Sequence, residues 1–311
     1  MTQHLSFPVS RPKIFVVGKN GQVGWELQRS LSLLGEVVAL GRPEADLLVP
    51  QALLERIRME RPDVVVNAAA YTAVDKAESD EAVATQINGA AVGELAQAAR
   101  DAGALFVHYS TDYVFDGSKD GAYTEGDETN PQNAYGRSKL AGEHAVQQAG
   151  GDWLVLRTSW VYAARGHNFM KTMLRLAGER EELRVVGDQR GAPTWARTIA
   201  EATADIVTQA MHARTRGEFA SGIYHLSAGG ATTWHGFAEL IVEYARSNDE
   251  RHRVKTASIM PILTTDYPLP ATRPANSILA GDKLRRDYGI AMPAWDAAAR
   301  LCLADLLECD S

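Results

Sequence analysis

A doubly wound α/β fold built on a parallel sheet is predicted by three observations. A β-rich run, Lys13-Ile-Phe-Val-Val17, leads straight into the glycine turn Gly18-Lys-Asn-Gly21-Gln-Val-Gly24 and then a helical pattern to about Leu34. The almost wholly apolar run Asp63-Val-Val-Val-Asn67 reads as a strand covered on both faces, the signature of a parallel sheet. A further apolar run from Ala104 to Tyr109 continues to the hydroxyl of Thr111, and a Tyr135-x-x-x-Lys139 pair opens a helix after it. Strands and helices alternating in this way make the sheet Rossmann-type.

Taken in order, Gly18, Gly21 and Gly24 permit a tight turn and close backbone approach. Gln22 and Val23 begin the helix whose amide donors and positive dipole end suit a pyrophosphate. The second strand, Glu36 to Leu40, ends in Gly41-Arg42, where this architecture reads the adenosine ribose. Arg42 either faces solvent or reaches a 2′-phosphate. The second reading points to NADPH, with NADH as the alternative coenzyme. Asp46 and Leu47 lie further on, toward the adenine. Ala68, Ala69 and Ala70 leave room for a cofactor after the third strand, and Tyr71 continues that loop. An alanine-rich segment from about Glu81 to Ala102 reads as one long helix.

The fourth strand carries Thr111 to the carboxyl edge of the sheet, where open α/β sheets bind ligands. Tyr135 and Lys139, four residues apart, share a helix face. A cation beside a phenol, whose pKa is near ~10 when free, pulls that value down and makes the phenol a usable acid and base. Tyr and Lys at this spacing are common; the glycine turn and the hydroxyl-ended strand give this pair its weight.

Another strand, Trp153 to Arg157, runs into Thr158-Ser-Trp-Val-Tyr162, after which the alternation loosens. Helices near Asn168 to Gly178 and up to about Met211 flank the turn Gly187 to Thr194, and a short strand at Ile223 to Leu226 precedes a helix from Trp234. The proline-rich stretch Tyr267 to Ser277 is not helical, and within it Arg273 and Asn276 suit a clamp on a phosphate or base. Two more helices end the chain, which has no internal repeat and no low-complexity tract.

With 311 residues and 45% hydrophobic content the chain can bury a large core as one large or two modest domains. A net charge of −7 gives no basic footprint for nucleic acid or an anionic membrane, so an anionic ligand has to be held locally. The leader Met1 to Ser10 has neither a basic start nor a continuous apolar stretch. No apolar run approaches the ~20 residues of a membrane span, so the expected location is the cytoplasm. Cys302 and Cys309 fall on one face of the last helix and are expected in its core, and such sparse cysteine suits a reducing compartment.

On these residues the chain resembles the extended short-chain dehydrogenase/reductases, and within them the dTDP-4-dehydrorhamnose reductase family. The carrying segments are Gly21 to Leu27, Asn67 to Glu78, Ser110-Thr-Asp-Tyr-Val-Phe-Asp-Gly117, Tyr135-Gly-Arg-Ser-Lys139, Arg157-Thr-Ser-Trp-Val-Tyr162, Gly191-Ala-Pro-Thr194 and Arg273-Pro-Ala-Asn-Ser277. The resemblance implies NAD(P)H on a Rossmann domain of residues 11–163, with return segments at about 195–225. It implies a dTDP-4-keto-6-deoxy sugar nucleotide across a smaller C-terminal α/β substrate domain, mainly residues 164–311. Tyr135 would protonate the carbonyl oxygen, Thr111 would hold it, and Lys139 would lower the tyrosine's pKa and bond the nicotinamide ribose. Thr72, Val74, Asp112, Tyr113 and Trp160 match positions around the sugar.

Some members pair through a magnesium ion held by glutamates. The matching positions here are Glu26, Arg197 and Asp305, and an arginine there repels a cation, so no metal is expected. A homodimer stays open. So do two other readings. One is a dTDP-sugar epimerase or dehydratase, although dehydratases carry a further acidic residue after the catalytic Thr or Ser and Asp112 has no glutamate after it. The other is a non-catalytic NADP-binding regulatory subunit, against which Thr111, Tyr135 and Lys139 together argue for catalysis.

Overall fold

The computed structural model describes residues 11–248 and 254–309; the leader Met1 to Ser10 and the side chain of Cys309 lie outside the described residues. The chain runs β1 (Lys13–Val17), α1 (Gln22–Ser30), β2 (Glu36–Leu40), α2 (Gln51–Glu60), β3 (Val64–Asn67), α3 (Val74–Ala77), α4 (Glu81–Thr85), α5 (Ala91–Ala102), β4 (Leu105–Thr111), α6 (Ala134–Ala149) and β5 (Trp153–Thr158). Then come β6 (Val161–Tyr162), α7 (Phe169–Glu179), β7 (Glu182–Val186), β8 (Arg190–Gly191), β9 (Thr194–Trp195), α8 (Ala196–Thr215) and β10 (Gly222–His225). The last elements are β11 (Thr232–Thr233), α9 (Trp234–Asn248), β12 (Ser258–Ile262), α10 (Asp282–Tyr288) and α11 (Trp295–Cys309).

Six strands pair in parallel in the order β10-β5-β4-β3-β1-β2. Alternation along β1 makes the sheet two-sided. Phe15 and Val17 enter a core with Leu53 and Ile57 of α2 and Leu95 of α5. Ile14 and Val16 enter a second core with Leu27 of α1 and Ile199 and Ile206 of α8. This is the doubly wound sheet expected from its apolar strands. The strand order reverses between β1 and β3, where Val17 lies opposite Asn67, and a crevice opens at their carboxyl ends. A third core joins Tyr162, Met170, Leu183, Phe237, Ile241 and Leu303 with Cys302, which is buried as expected.

Two features depart from the sequence reading. The helix expected from Glu81 to Ala102 is broken by a π-turn at Gln86–Ala90, which puts the Asn88 carbonyl against Gly142 of α6. Strands β7 and β12 form a separate parallel pair that composition did not announce. Strand β7 alternates exposed and buried residues over only five positions, and β12 is half exposed and contains Pro261, which suits an edge.

Beneath the carboxyl edge, Arg157 of β5 and Glu143 of α6 form a bidentate pair, with Nε–Oε1 2.9 Å and Nη2–Oε2 2.6 Å, almost sealed from water. Removing one member leaves the other as an uncompensated buried charge. Glu143→Ala is therefore expected to cost about 3–5 kcal/mol, read as a lower urea midpoint. Adding Arg157→Leu to that variant should recover part of the loss, because no lone charge then remains.

Candidate active site

The glycine turn works through contact distances. Gly18 has φ +94, and a Cβ there would lie 2.7 Å from the Ala69 amide nitrogen. A Cβ on Gly24 would lie 2.1 Å from the Gly18 carbonyl oxygen, so β1, α1 and the loop after β3 meet backbone to backbone. Helix α1 starts at Gly21 with no side-chain cap, which leaves its first amides open to an anion. They border a cavity of about 510 Å³ lined by Gly18, Gly21, Gln22, Val23, Arg42, Asp46, Leu47, Ala68, Ala69, Ala70, Thr72, Tyr135 and Lys139. Of the residues predicted for the cofactor, Gly24 and Tyr71 stand behind this wall rather than in it. The Tyr71 backbone is pinned on both sides by Asn88 of the π-turn, at 2.8 and 3.0 Å, and its phenol donates to Asp80 at 3.2 Å.

The donor set fits a dinucleotide. The hydroxyls of Ser110 and Thr158 are buried on the cavity wall without a hydrogen-bond partner among the described residues. Arg42 is exposed at the mouth, while the neighbouring acid, Glu44, is occupied by Lys19 at 2.9 Å and the Gly41 amide at 2.9 Å. The sequence reading missed Asn20, Ile87, Tyr109, Val161, Gly166 and His167 on the wall. Gly166 and His167 arrive with the loop before α7, which is tied to the glycine turn where Asn168 Nδ2 donates to Gln22 Oε1 at 2.9 Å. No local pattern marks a contact between positions so far apart in the chain.

Asn133 caps α6 by accepting from the Gly136 amide at 2.8 Å, and Gly136 lets the helix press on the turn at Asp112–Val114, since a Cβ would lie 2.3 Å from the Tyr113 carbonyl. Tyr135 thereby meets Tyr113 edge to face, ring centroids 5.6 Å apart. Burial, with the charge of Asp112 beside it, raises the Tyr135 phenol well above its ordinary range, and the Thr111 hydroxyl pulls the other way. Thr111 Oγ1 donates to Asp112 Oδ1 at 3.0 Å. Burial pushes Asp112 up to about 6, against hydrogen bonds from Ser277 and Thr111.

Lys139, 2% exposed, donates to the Tyr109 carbonyl at 2.6 Å and lies 3.1 Å from His108 Nε2. Burial pushes it down to about 8. The expected pull of this lysine on the phenol is therefore corrected: its amine is held on β4, and the phenol is raised, not lowered.

Of the residues expected around the sugar, Thr72 is exposed on the crevice wall and Val74 opens α3. Asp75 accepts from Arg273 Nη2 at 2.8 Å and from the Ala271 amide at 3.2 Å, which draws the proline-rich loop to α3 and Tyr113. Trp160 sits in the left-handed region, φ 48, stacked on Trp234 at 3.7 Å, and Gly191 lies flush with its indole. Of the predicted Arg273–Asn276 clamp, Arg273 is paired with Asp75 and Asn276 is bonded to backbone. Asn276 Nδ2 donates to the carbonyls of Lys119 and Gly121 at 2.8 and 2.6 Å, and its Oδ1 accepts from the Ile278 amide at 3.1 Å, so its polar atoms hold loops together.

At the middle of α1, Arg197 places a cation between Glu26, at 3.4 Å, and Asp305, at 2.5 Å.

A phenol and an amine from one helix, at the carboxyl edge of a parallel sheet where β4 ends in a threonine, are the arrangement of an extended short-chain dehydrogenase/reductase. The family model described as RmlD substrate binding domain matches residues 12–308. A dTDP-4-dehydrorhamnose reductase of Burkholderia thailandensis is 57% identical over 95% of this chain and 99% of its own length. One of Salmonella typhimurium is 46% identical over 94% and 97%. The structure of a dTDP-4-dehydrorhamnose reductase from Bacillus anthracis in complex with NADP superposes with a TM-score of 0.85 at 32% identity, covering 95% of this chain and 99% of that one. The chain belongs to the dTDP-4-dehydrorhamnose reductase family.

Asp112 carries a prediction of its own. Its native pKa lies near 6, above the ordinary 3.8, so the native state holds this proton more tightly than the unfolded chain does. Stability should fall as pH rises from about 4 to about 6, and the cost should be complete at pH 7. Asp112→Asn is expected to stabilise the fold at pH 7 by roughly 1–3 kcal/mol and to gain nothing below pH 4, as read from urea midpoints across that range.

Proposed function

We infer that this chain catalyses the reduction of the 4-keto group of dTDP-4-dehydro-L-rhamnose to dTDP-L-rhamnose, with NADPH as the favoured coenzyme. The observation that carries the reading is the Tyr135 phenol, kept protonated by burial and by Asp112 beside Thr111, on the wall of the crevice. A reduced nicotinamide bound in that crevice supplies the hydride. The protein supplies the proton. Thr111, by exchanging its hydrogen bond to Asp112, and Tyr135 hold the substrate carbonyl oxygen by their hydroxyls, and as negative charge develops there Tyr135 donates its proton. A phenol held above its ordinary range is unionised at pH 7, the form needed to donate. Lys139 serves the cofactor side of the same helix face.

The first α1 amides, the Ala68–Ala70 loop and Arg42 bind the dinucleotide in this reading. Trp160, Tyr113 and Arg273 face the sugar nucleotide, and Arg273 exchanges its contact with Asp75 for the diphosphate. The activity is tested by supplying the keto-sugar nucleotide and following the absorbance of the reduced cofactor; protein that oxidises none would sink the reading.

Two variants examine its parts. Tyr135→Phe removes one hydroxyl from a packed ring, so turnover should drop by ~10² or more while cofactor binding is retained. Arg42→Asp sets a carboxylate against the 2′-phosphate. The preference for NADPH in kcat/KM should reverse toward NADH, and in the unaltered enzyme that preference should shrink as salt rises.

A further inference from the structure

The mouth of the crevice carries a charge pair that the reaction does not use. Sheets of this kind place an acidic residue near the end of the second strand, about 20 residues past the glycine turn, where it accepts from the ribose 2′-hydroxyl. Here β2 ends at Leu40 and the next residue, Gly41, has no side chain to offer. An acid nevertheless stands there. The turn from Gly41 to Glu44 closes reciprocally: the Glu44 amide donates to the Gly41 carbonyl at 3.1 Å, and the Gly41 amide donates to Glu44 Oε2 at 2.9 Å. A Cβ on Gly41 would lie 3.3 Å from that same Oε2, 3.2 Å from Asn20 Nδ2 and 3.1 Å from Lys19 Cε. The Glu44 carboxylate therefore reaches back to the space into which an acidic side chain at position 41 would grow, and the missing Cβ leaves room for it.

Lys19 completes the arrangement. The Gly18 and Lys19 amides donate to the Leu40 carbonyl at 2.9 and 3.1 Å, which fastens the glycine turn to the end of β2. Lys19 Nζ then donates to Glu44 Oε1 at 2.9 Å. The Lys19 ammonium and the Gly41 amide hold Glu44 below the usual carboxylate range, so it is ionised at pH 7. As a contact stabilising the fold this pair counts for little, since its side chains are 31% and 42% exposed. Its surroundings are those of a ligand. Asn20, Gly41 and Arg42 all line the crevice, and Arg42 is exposed at its mouth. The other acid nearby, Asp46, is turned to its own loop, where Oδ1 accepts from the Leu48 amide at 3.0 Å.

We propose that Glu44 is the carboxylate that accepts from the adenosine ribose in this chain, and that Lys19 joins Arg42 as the second cation for a 2′-phosphate. A carboxylate has about four lone-pair sites. Glu44 uses two of them, one for Lys19 and one for Gly41, so it can take a hydroxyl hydrogen and keep both partners. A 2′-phosphate makes the opposite demand. It repels Glu44 and competes with it for Lys19, which exchanges one anion for the other while Arg42 adds a second positive charge. Glu44 and the two cations thus act on NADH and NADPH in opposite senses. Coenzyme choice is set by two neighbouring loops rather than by Arg42 alone. The assignment rests on the reading of the crevice as a dinucleotide site.

The test measures binding by the full protein with no sugar nucleotide present, titrating NADPH and NADH separately and following the fluorescence of the reduced nicotinamide. Glu44→Gln keeps the shape of the side chain and removes its charge. NADPH should then bind roughly threefold or more tightly, and NADH roughly threefold or more weakly. Lys19→Met should weaken NADPH by a similar factor and leave NADH within about twofold. When the two substitutions are combined, NADPH should regain part of that loss, because the unpaired carboxylate is gone. A merely loosened turn would weaken both coenzymes, so opposite shifts separate a role in recognition from a structural one. If Glu44→Gln moves both affinities in one direction, or moves neither, the assignment is overturned while the dinucleotide site stands. Unaltered protein that binds neither coenzyme overturns the dinucleotide reading, and the assignment falls with it.

Discussion

The structure depends on one close approach of backbones. At the switch point of the sheet the turn after β1, the start of α1 and the loop after β3 come closer than any Cβ allows. That contact puts open helix amides and the Ala68–Ala70 loop on two walls of one crevice, and no side chain can stand between them. With the walls set, β4 and β5 can only deliver their carboxyl ends to the floor. That is why Ser110 and Thr158 present hydroxyls there, with Thr111 next to Ser110 at the end of β4.

The second constraint is the burial of charge at the same edge. Arg157, Glu143, Lys139, His108 and Asp112, on β4, β5, α6 and the turn after β4, are all nearly sealed from water. Each would be costly alone, and each is met differently. Arg157 and Glu143 neutralise one another. Lys139 and Asp112 shift toward their neutral forms, and His108 gives up its charge altogether. The outcome is a catalytic edge with little net charge beside a phenol that remains protonated, an arrangement suited to giving a proton to a developing alkoxide.

Much of this was legible in the chain. The strand, glycine turn and helix of residues 13–30 read correctly because their contacts are local, and so did β3, whose apolar run can only be a strand covered on both faces. The residues lining the crevice read well for the same reason: most sit immediately after a strand, and strand ends converge in a parallel sheet. The π-turn was not legible, since what holds it is Asn88 packing on Gly142 of another helix. Asn276 looked like a ligand group because its type suits one, yet its partners, Lys119 and Gly121, lie more than a hundred residues away.

The sequence by itself determined the order of strands and helices, the glycine turn, and the placing of Thr111, Tyr135 and Lys139 at one sheet edge. These follow from side-chain periodicity and backbone freedom, which act over a few residues. Only the tertiary structure decided where protons and charges reside. Lys139 meets His108 rather than the phenol, and Tyr135 is raised rather than lowered, because burial and the direction of each hydrogen bond depend on neighbours that the fold brings together from separate strands.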